Sequence, residues 1–319
     1  MSIAALAAAA LALGSSYRAV SAASFCDDPS FMLEWSDDFD SFDTEKWSKV
    51  CSDGEEATGD GCLPPFPTHS SSNGAECRSA TCVSSAVSIV DGNLVLTSSR
   101  DPSNASNWLT GAVKTAGKAD WTTDDGTYRL CISAKLPGGG AAPGAGQGLW
   151  PAHWMMPADD PCDPDEGEMD IFEMVSGSGD AESTYHWQNG WPNETCAYPD
   201  GHDEIWGARE LGARWWEGYH EFSVERSATS VAFAIDGVVI ANSSAYEPHS
   251  SSSRHAPMAR RGGADRSVAH AGEGDPGPVP DIKLWPIPFY LIINSAVKHR
   301  RLTVPLFSVS AVFLARTLT

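Results

Sequence analysis

The sequence predicts an all-β protein, a sandwich or jelly roll built from many short antiparallel strands. Long helical periodicity is scarce along the chain, short runs with period-two alternation recur, and Gly-, Pro- and Asp-rich connections separate them. No internal repeat is visible. At 319 residues the chain is long enough to bury a large core, as one large β domain or two smaller units.

The elements follow in order. The N-terminal stretch SIAALAAAALALGSS, followed by AVSAAS, pairs an apolar region with small residues suited to cleavage. Residues 1–22 therefore read as a secretory signal peptide cut near Ala22, and the stretch is too short and too Ala-rich for a membrane span. DGNLVLTSS gives a turn and then a strand, and TYRLCISAKLP alternates until Pro137. YHEFSVERSATSVAFAIDGVVIANSS reads as strand, turn, strand, an Asp236-Gly237 turn, and a further strand. Residues 246–280 are rich in Ser, Gly, Pro and Arg with almost nothing to bury, the composition of a disordered insertion.

Composition narrows the function. The chain carries 42 Asp and Glu against 21 Lys and Arg, a formal net charge of -21. Nucleic acid and anionic membrane surfaces need a basic footprint, so neither is an expected partner, whereas a neutral polysaccharide is compatible. The eight cysteines (Cys26, Cys51, Cys62, Cys77, Cys82, Cys131, Cys162 and Cys196) are even in number and lack zinc-site spacing, which suggests disulfides of unassigned pairing. Sequons at Asn104, Asn193 and Asn242 agree with a secreted, extracellular protein.

The most informative segment is EGEMDIFEMV, Glu166 to Val175, with four carboxylates among five apolar side chains. As a helix it would scatter its apolar residues, and Gly167 and Ser176-Gly177 leave it short. As a strand, Glu168 and Asp170 point to one side, but the alternation slips between Ile171 and Phe172. A regular strand would then bury Glu173. A β-bulge absorbs one residue, so that Glu168, Asp170 and Glu173 line one face while Met169, Ile171, Phe172 and Met174 enter the core.

Such crowding raises the proton affinity of at least one carboxyl group. One ionised and one protonated carboxyl group are what glycoside hydrolysis requires, and a short separation across the bulge suits a retaining mechanism. The bland alternative is an acidic edge strand that repels other chains.

These residues resemble a known family. E-M-D-I-F-E is similar to the bulged E-x-D-x-x-E signature of glycoside hydrolase family 16, in the form seen in laminarinases and β-1,3(4)-glucanases. GLWPAHWMMP (Gly148 to Pro157) resembles the family's G-L-W-P-A-x-W-x-x-P at the family's spacing. WSDDFDSFDTEKWS, DGNLVLTSS, AKLP, STYHW, IDGVVI and PFYLIINSAV are similar to further family strands, in the family's order. The match runs over roughly residues 31 to 297.

The resemblance implies a concanavalin A-like jelly-roll sandwich of two antiparallel sheets with a concave substrate cleft, over a domain spanning 25–300. It implies Glu168 as nucleophile, Glu173 as general acid/base and Asp170 as the residue that tunes Glu168. Trp150 and Trp154, even-spaced on one strand face, and one of His186 and Trp187 are expected to meet the glycan, since a flat aromatic ring covers the apolar side of a sugar. Trp35, Trp47 and Trp285 are expected in the core.

There are departures from the family pattern. Cys131 and Ser133 stand where charged residues are common, and Ala112 where a polar residue is common, so no substrate contact is expected there. The segment after Val297 lacks the Gly-Gly turn and closing strand, so 301–319 is expected to be an atypical tail.

The expected function is a secreted, retaining, endo-acting β-1,3- or mixed-linkage glucanase, monomeric and requiring no cofactor. A transglycosylase on the same fold, or a lectin-like glucan-binding protein without catalysis, are the alternatives. The acidic DPCDPDEGE lacks EF-hand spacing and reads as a loop, with a structural calcium possible elsewhere on the sandwich.

Overall fold

A computed structural model describes residues 26–52, 62–65, 75–137, 148–158, 167–188, 202–212, 215–243, 282, 284, 286–297 and 306–317. The proposed signal peptide, the 246–280 insertion, Asn193, Trp285, Cys162 and Cys196 lie outside them.

Two antiparallel sheets face each other. The first, which carries the candidate site, runs in the order His202–Glu210, Asp180–Gln188, Glu168–Glu173, Leu149–Pro157, Phe289–Val297, Ala112–Lys114, Ser48–Lys49. The second runs Val238–Asn242, Val231–Ile235, His220–Arg226, Tyr128–Lys135, Leu306–Thr317, Leu94–Thr97, Val87–Ile89, with Phe31–Asp37 also paired to Leu306–Thr317. A small third sheet joins Thr81–Cys82, Trp108–Thr110 and Ser99–Arg100.

Turn chemistry sets the hairpins. Asp91-Gly92 and Asp236-Gly237 all take positive φ (51°, 68°, 47° and 73°), the backbone that a two-residue hairpin turn matching strand twist requires.

The core fills the space between the sheets. Met155, Met169, Ile171, Phe172, Leu291 and Ile293 from the first meet Leu130, Ile132, Phe222, Val224, Phe233 and Leu314 from the second, all fully buried. Phe172 and Phe222 approach to 4.3 Å between ring centroids across the interface. Each such side chain contributes about 1.5–3 kcal/mol of burial. Trp35 packs edge-on to Trp47 and Trp121 at 5.7 and 5.4 Å, and the buried Trp47 indole donates to Asp37 Oδ2 at 2.8 Å.

The expectation of an atypical tail is overturned. Leu306–Thr317 is a twelve-residue strand that pairs with Tyr128–Lys135, Leu94–Thr97 and Phe31–Asp37, inside the second sheet. Its register on Tyr128–Lys135 shifts between Val309 and Ala311. That irregularity puts Val309, Val312 and Leu314 in the core, a spacing that period-two reading misses.

Among the described residues, three disulfides join Cys26 to Cys131, Cys51 to Cys62 and Cys77 to Cys82. Cys131 thus ties the N-terminal segment to a central strand. Asn104 is exposed and Asn242 is half-buried on a strand.

Candidate active site

The acidic strand begins where only glycine fits. Gly167 has φ 110°, and a Cβ there would sit 2.9 Å from the hydroxyl of the buried Tyr185. The strand then bulges. Trp154 opposes Asp170 and His153 opposes Phe172, which leaves Ile171 as the extra residue. On the other side Asp170 opposes Thr184 and Glu173 opposes Glu182, so Ser183 alone faces Ile171 and Phe172. Its hydroxyl donates to the Ile171 carbonyl at 2.7 Å, holding a group the broken ladder would leave loose.

The bulge sorts the side chains as the spacing predicts. Met169, Ile171, Phe172 and Met174 are buried in the core, and Glu168, Asp170 and Glu173 all border one cleft. That cleft is also lined by Ala75, Arg78, Trp150, Ala152, Trp154 and Asn294.

The partners of each carboxylate set its chemistry. Glu173 Oε1 accepts from the Trp150 indole N–H at 2.6 Å. Burial, reinforced by the negative charge of Asp170, pushes the Glu173 carboxyl up to about 8, against the opposing pull of His186 and the Trp150 N–H. Asp170 is nearly buried and lies 2.9 Å from His186 Nε2. The other His186 nitrogen faces Glu204 Oε2 at 3.4 Å. Burial disfavours the imidazolium, but the hydrogen bond and charge of Asp170, with Glu204 and Glu173, hold His186 above the ordinary histidine value. A proton-rich Glu173 therefore sits beside an Asp–His pair.

The aromatic residues divide. Trp150 and Trp154 share the cleft face, as their even spacing predicts. Trp154 is almost fully buried, packed with Ala152, Met156, Tyr290 and Ile292, and it forms floor rather than wall. Its indole donates to Asn294 Oδ1 at 2.8 Å, and Asn294 donates to the Glu76 carbonyl at 2.9 Å. His186 faces the cleft side. Trp187 does not: it is fully buried, stacked 5.6 Å from Tyr185, because the next residue on a strand points into the core. Of the pair from which one glycan contact is expected, His186 takes the cleft side and Trp187 is corrected to a core residue. Ala112 is buried against Val50, Cys77 and Cys82.

Sequence reading missed the loop that walls the cleft. Arg78 lines the cleft with φ 52°, its guanidinium 4.8 Å from the Trp150 ring centroid. The Cys77–Cys82 bridge spans this loop, and the Ser79 N–H bonds to the Val297 carbonyl at 3.0 Å. The neighbouring Glu76 is fully buried and paired with Lys114 at 3.2 Å. Nothing in the Ser/Gly-rich sequence around 66–82 signals that placement. Among the described residues no group of three or more His, Cys, Asp or Glu is arranged to hold a metal ion.

Comparison with known proteins agrees with this fold. Residues 132–262 match the profile of the family described as Glycosyl hydrolases family 16. A β-glucanase of Rhodothermus marinus is 33% identical over 93 residues, which are 28% of this chain and 29% of that protein, so the match spans under a third of the relative's length. The laminarinase catalytic domain of Thermotoga maritima superposes with a TM-score of 0.58 at 19% identity, over 91% of this chain and 99% of that one. A variant of a non-specific family 16 endo-β-1,3(4)-glucanase, co-crystallised with 1,3-β-D-cellotriosyl-glucose, superposes with a TM-score of 0.58 at 20% identity, over 91% and 96%.

Proposed function

With residues 132–262 matching family 16 of the glycosyl hydrolases, we propose that the protein is a secreted, retaining endo-β-glucanase acting on β-1,3- or mixed β-1,3/1,4-glucan. The observation that carries this reading is the bulge at Ile171, which places Glu168, Asp170 and Glu173 on one cleft.

In the first step the Glu168 carboxylate attacks the anomeric carbon while protonated Glu173 donates its proton to the departing glycosidic oxygen. The C–O bond to the leaving sugar breaks as the ester to Glu168 forms. Glu173, now ionised, then takes a proton from water. The hydroxide oxygen attacks the same carbon, and Glu168 leaves as a carboxylate.

Asp170 contributes by charge, keeping the Glu173 proton in place and engaging His186. Trp150 offers an aromatic wall while its N–H orients Glu173.

Reducing-end release from laminarin and lichenan by the wild type and by Glu168→Gln tests the reading. The wild type releases sugar and the variant falls by about a thousandfold or more. A variant as active as wild type removes Glu168 from its role, and glucan binding by an inactive wild type favours a lectin-like protein.

A further inference from the structure

Trp206 lies on the edge strand His202–Glu210, outside every residue assigned to the chemistry above. Its neighbours fix which way it points. Ile205 is buried, and a Cβ on Gly207 would come within 2.1 Å of the Ile240 carbonyl, so both face the opposing sheet. Strand alternation turns Trp206 to the other face, the one that carries the carboxylates.

Register places it more closely. Trp206 opposes Thr184, Thr184 opposes Asp170, and Asp170 opposes Trp154, a single row across four strands. Strand spacing sets Trp206 roughly 10 Å from Asp170, a span of roughly two hexose units. The residue is 47% exposed although it belongs to a packed sheet. Two residues before it, Glu204 reaches His186 Nδ1 at 3.4 Å, so a polar rim adjoins the aromatic surface. A single exposed Trp is unremarkable on most surfaces. One that shares a face with the cleft carboxylates and a row with Asp170 has the apolar plane and polar border that hold a pyranose ring.

We propose that Trp206 is a stacking platform for a β-linked hexose of the polymer, remote from the bond that is cut, and that it sets the length of glucan the cleft prefers. The proposal rests on the glucanase reading, because the carboxylates define where the polymer runs. Glucan crosses the strands rather than following them, passing from the Trp150 and Trp154 side over the carboxylates to Trp206.

Two measurements on the full chain test it. In the first, wild type, Trp206→Ala and Trp206→Phe are assayed on a ladder of linear β-1,3-gluco-oligosaccharides of increasing length. An aromatic face covering about 50 Å² of sugar C–H surface is worth about tenfold. In Trp206→Ala, kcat/KM on the longest oligosaccharides falls about tenfold, the loss shrinks as the substrate shortens, and Phe restores most of it. A loss equal at every length, or none, overturns the proposal.

In the second, retardation in a gel containing laminarin compares Glu168→Gln with Glu168→Gln/Trp206→Ala. Weaker retardation of the double variant supports the platform, and equal retardation overturns it. If wild type cleaves no oligosaccharide while Trp206→Ala still loses retardation, the hydrolase reading fails and the platform stands.

Discussion

Replacing Trp150 with Phe isolates the hydrogen bond that sets the acid/base. The indole N–H lies 2.6 Å from Glu173 Oε1, and Phe keeps an aromatic ring beside Arg78 while removing the donor. Donation to the carboxylate favours its ionised form, so this bond pulls the Glu173 pKa down from where burial and Asp170 would put it. Without the bond, Glu173 holds its proton to higher pH.

A hydrogen bond to a charged group is worth about 1.5–3 kcal/mol, and one pKa unit corresponds to about 1.4 kcal/mol. The protonated acid can still accept from the indole, and a water can replace it, so roughly one unit of the difference survives. The proposed mechanism needs Glu173 protonated at the start, so the alkaline limb of kcat/KM reports its pKa, about 8 in the wild type. The assay is kcat/KM on a soluble β-1,3-glucan from acid to alkaline pH. In Trp150→Phe the alkaline limb moves up by roughly one unit, whatever happens to the plateau. A limb that stays in place or moves down refutes the assignment of Glu173 as the acid and of Trp150 as its tuner.

Asp170→Asn has the opposite sign: removing the neighbouring charge frees Glu173 to lose its proton earlier, so the alkaline limb moves down, and kcat falls by about a hundredfold. Glu173→Gln abolishes hydrolysis yet stabilises the fold at alkaline pH. The native carboxyl is raised above its unfolded value, so the wild type loses stability as pH rises from the ordinary carboxylate range to about 8, and Gln removes that loss. Denaturant midpoints across that range show a gap widening to on the order of a few kcal/mol. Lys114→Met removes the ammonium 3.2 Å from the buried Glu76 carboxylate and costs about 3–5 kcal/mol, read by denaturant unfolding.

What was legible in the sequence had a local signature. Asp91-Gly92 and Asp236-Gly237 announce hairpins because only certain residues accept the backbone of such turns. The slip between Ile171 and Phe172 announces a bulge because a regular strand there would bury a glutamate. The slip in Leu306–Thr317 escaped notice because no charge marks it: Ser310 and Ala311 suit either face, so the strand read as a featureless tail.

Long-range placement was illegible for a different reason. Arg78 reaches the cleft because its loop docks against Val297, more than two hundred residues away, and Asn294 joins Trp154 to Glu76 across three segments. Neither follows from any local pattern. Strand alternation lets only one of His186 and Trp187 face the cleft, and no local pattern says which. The alternation in HDEIWGARE does mark Trp206 as facing away from Ile205, but not which face holds the carboxylates.

The central claim is that one extra residue in an extended strand sets two glutamates over a single sugar, one to attack and one to donate a proton. Proton NMR of the anomeric signals during the first minutes of laminarin cleavage tests it most directly. The account predicts that the new reducing ends appear first as the β anomer and only then mutarotate, and that Glu168→Gln produces none. Initial appearance of the α anomer would mean inversion through a water, and would contradict Glu168 as the nucleophile.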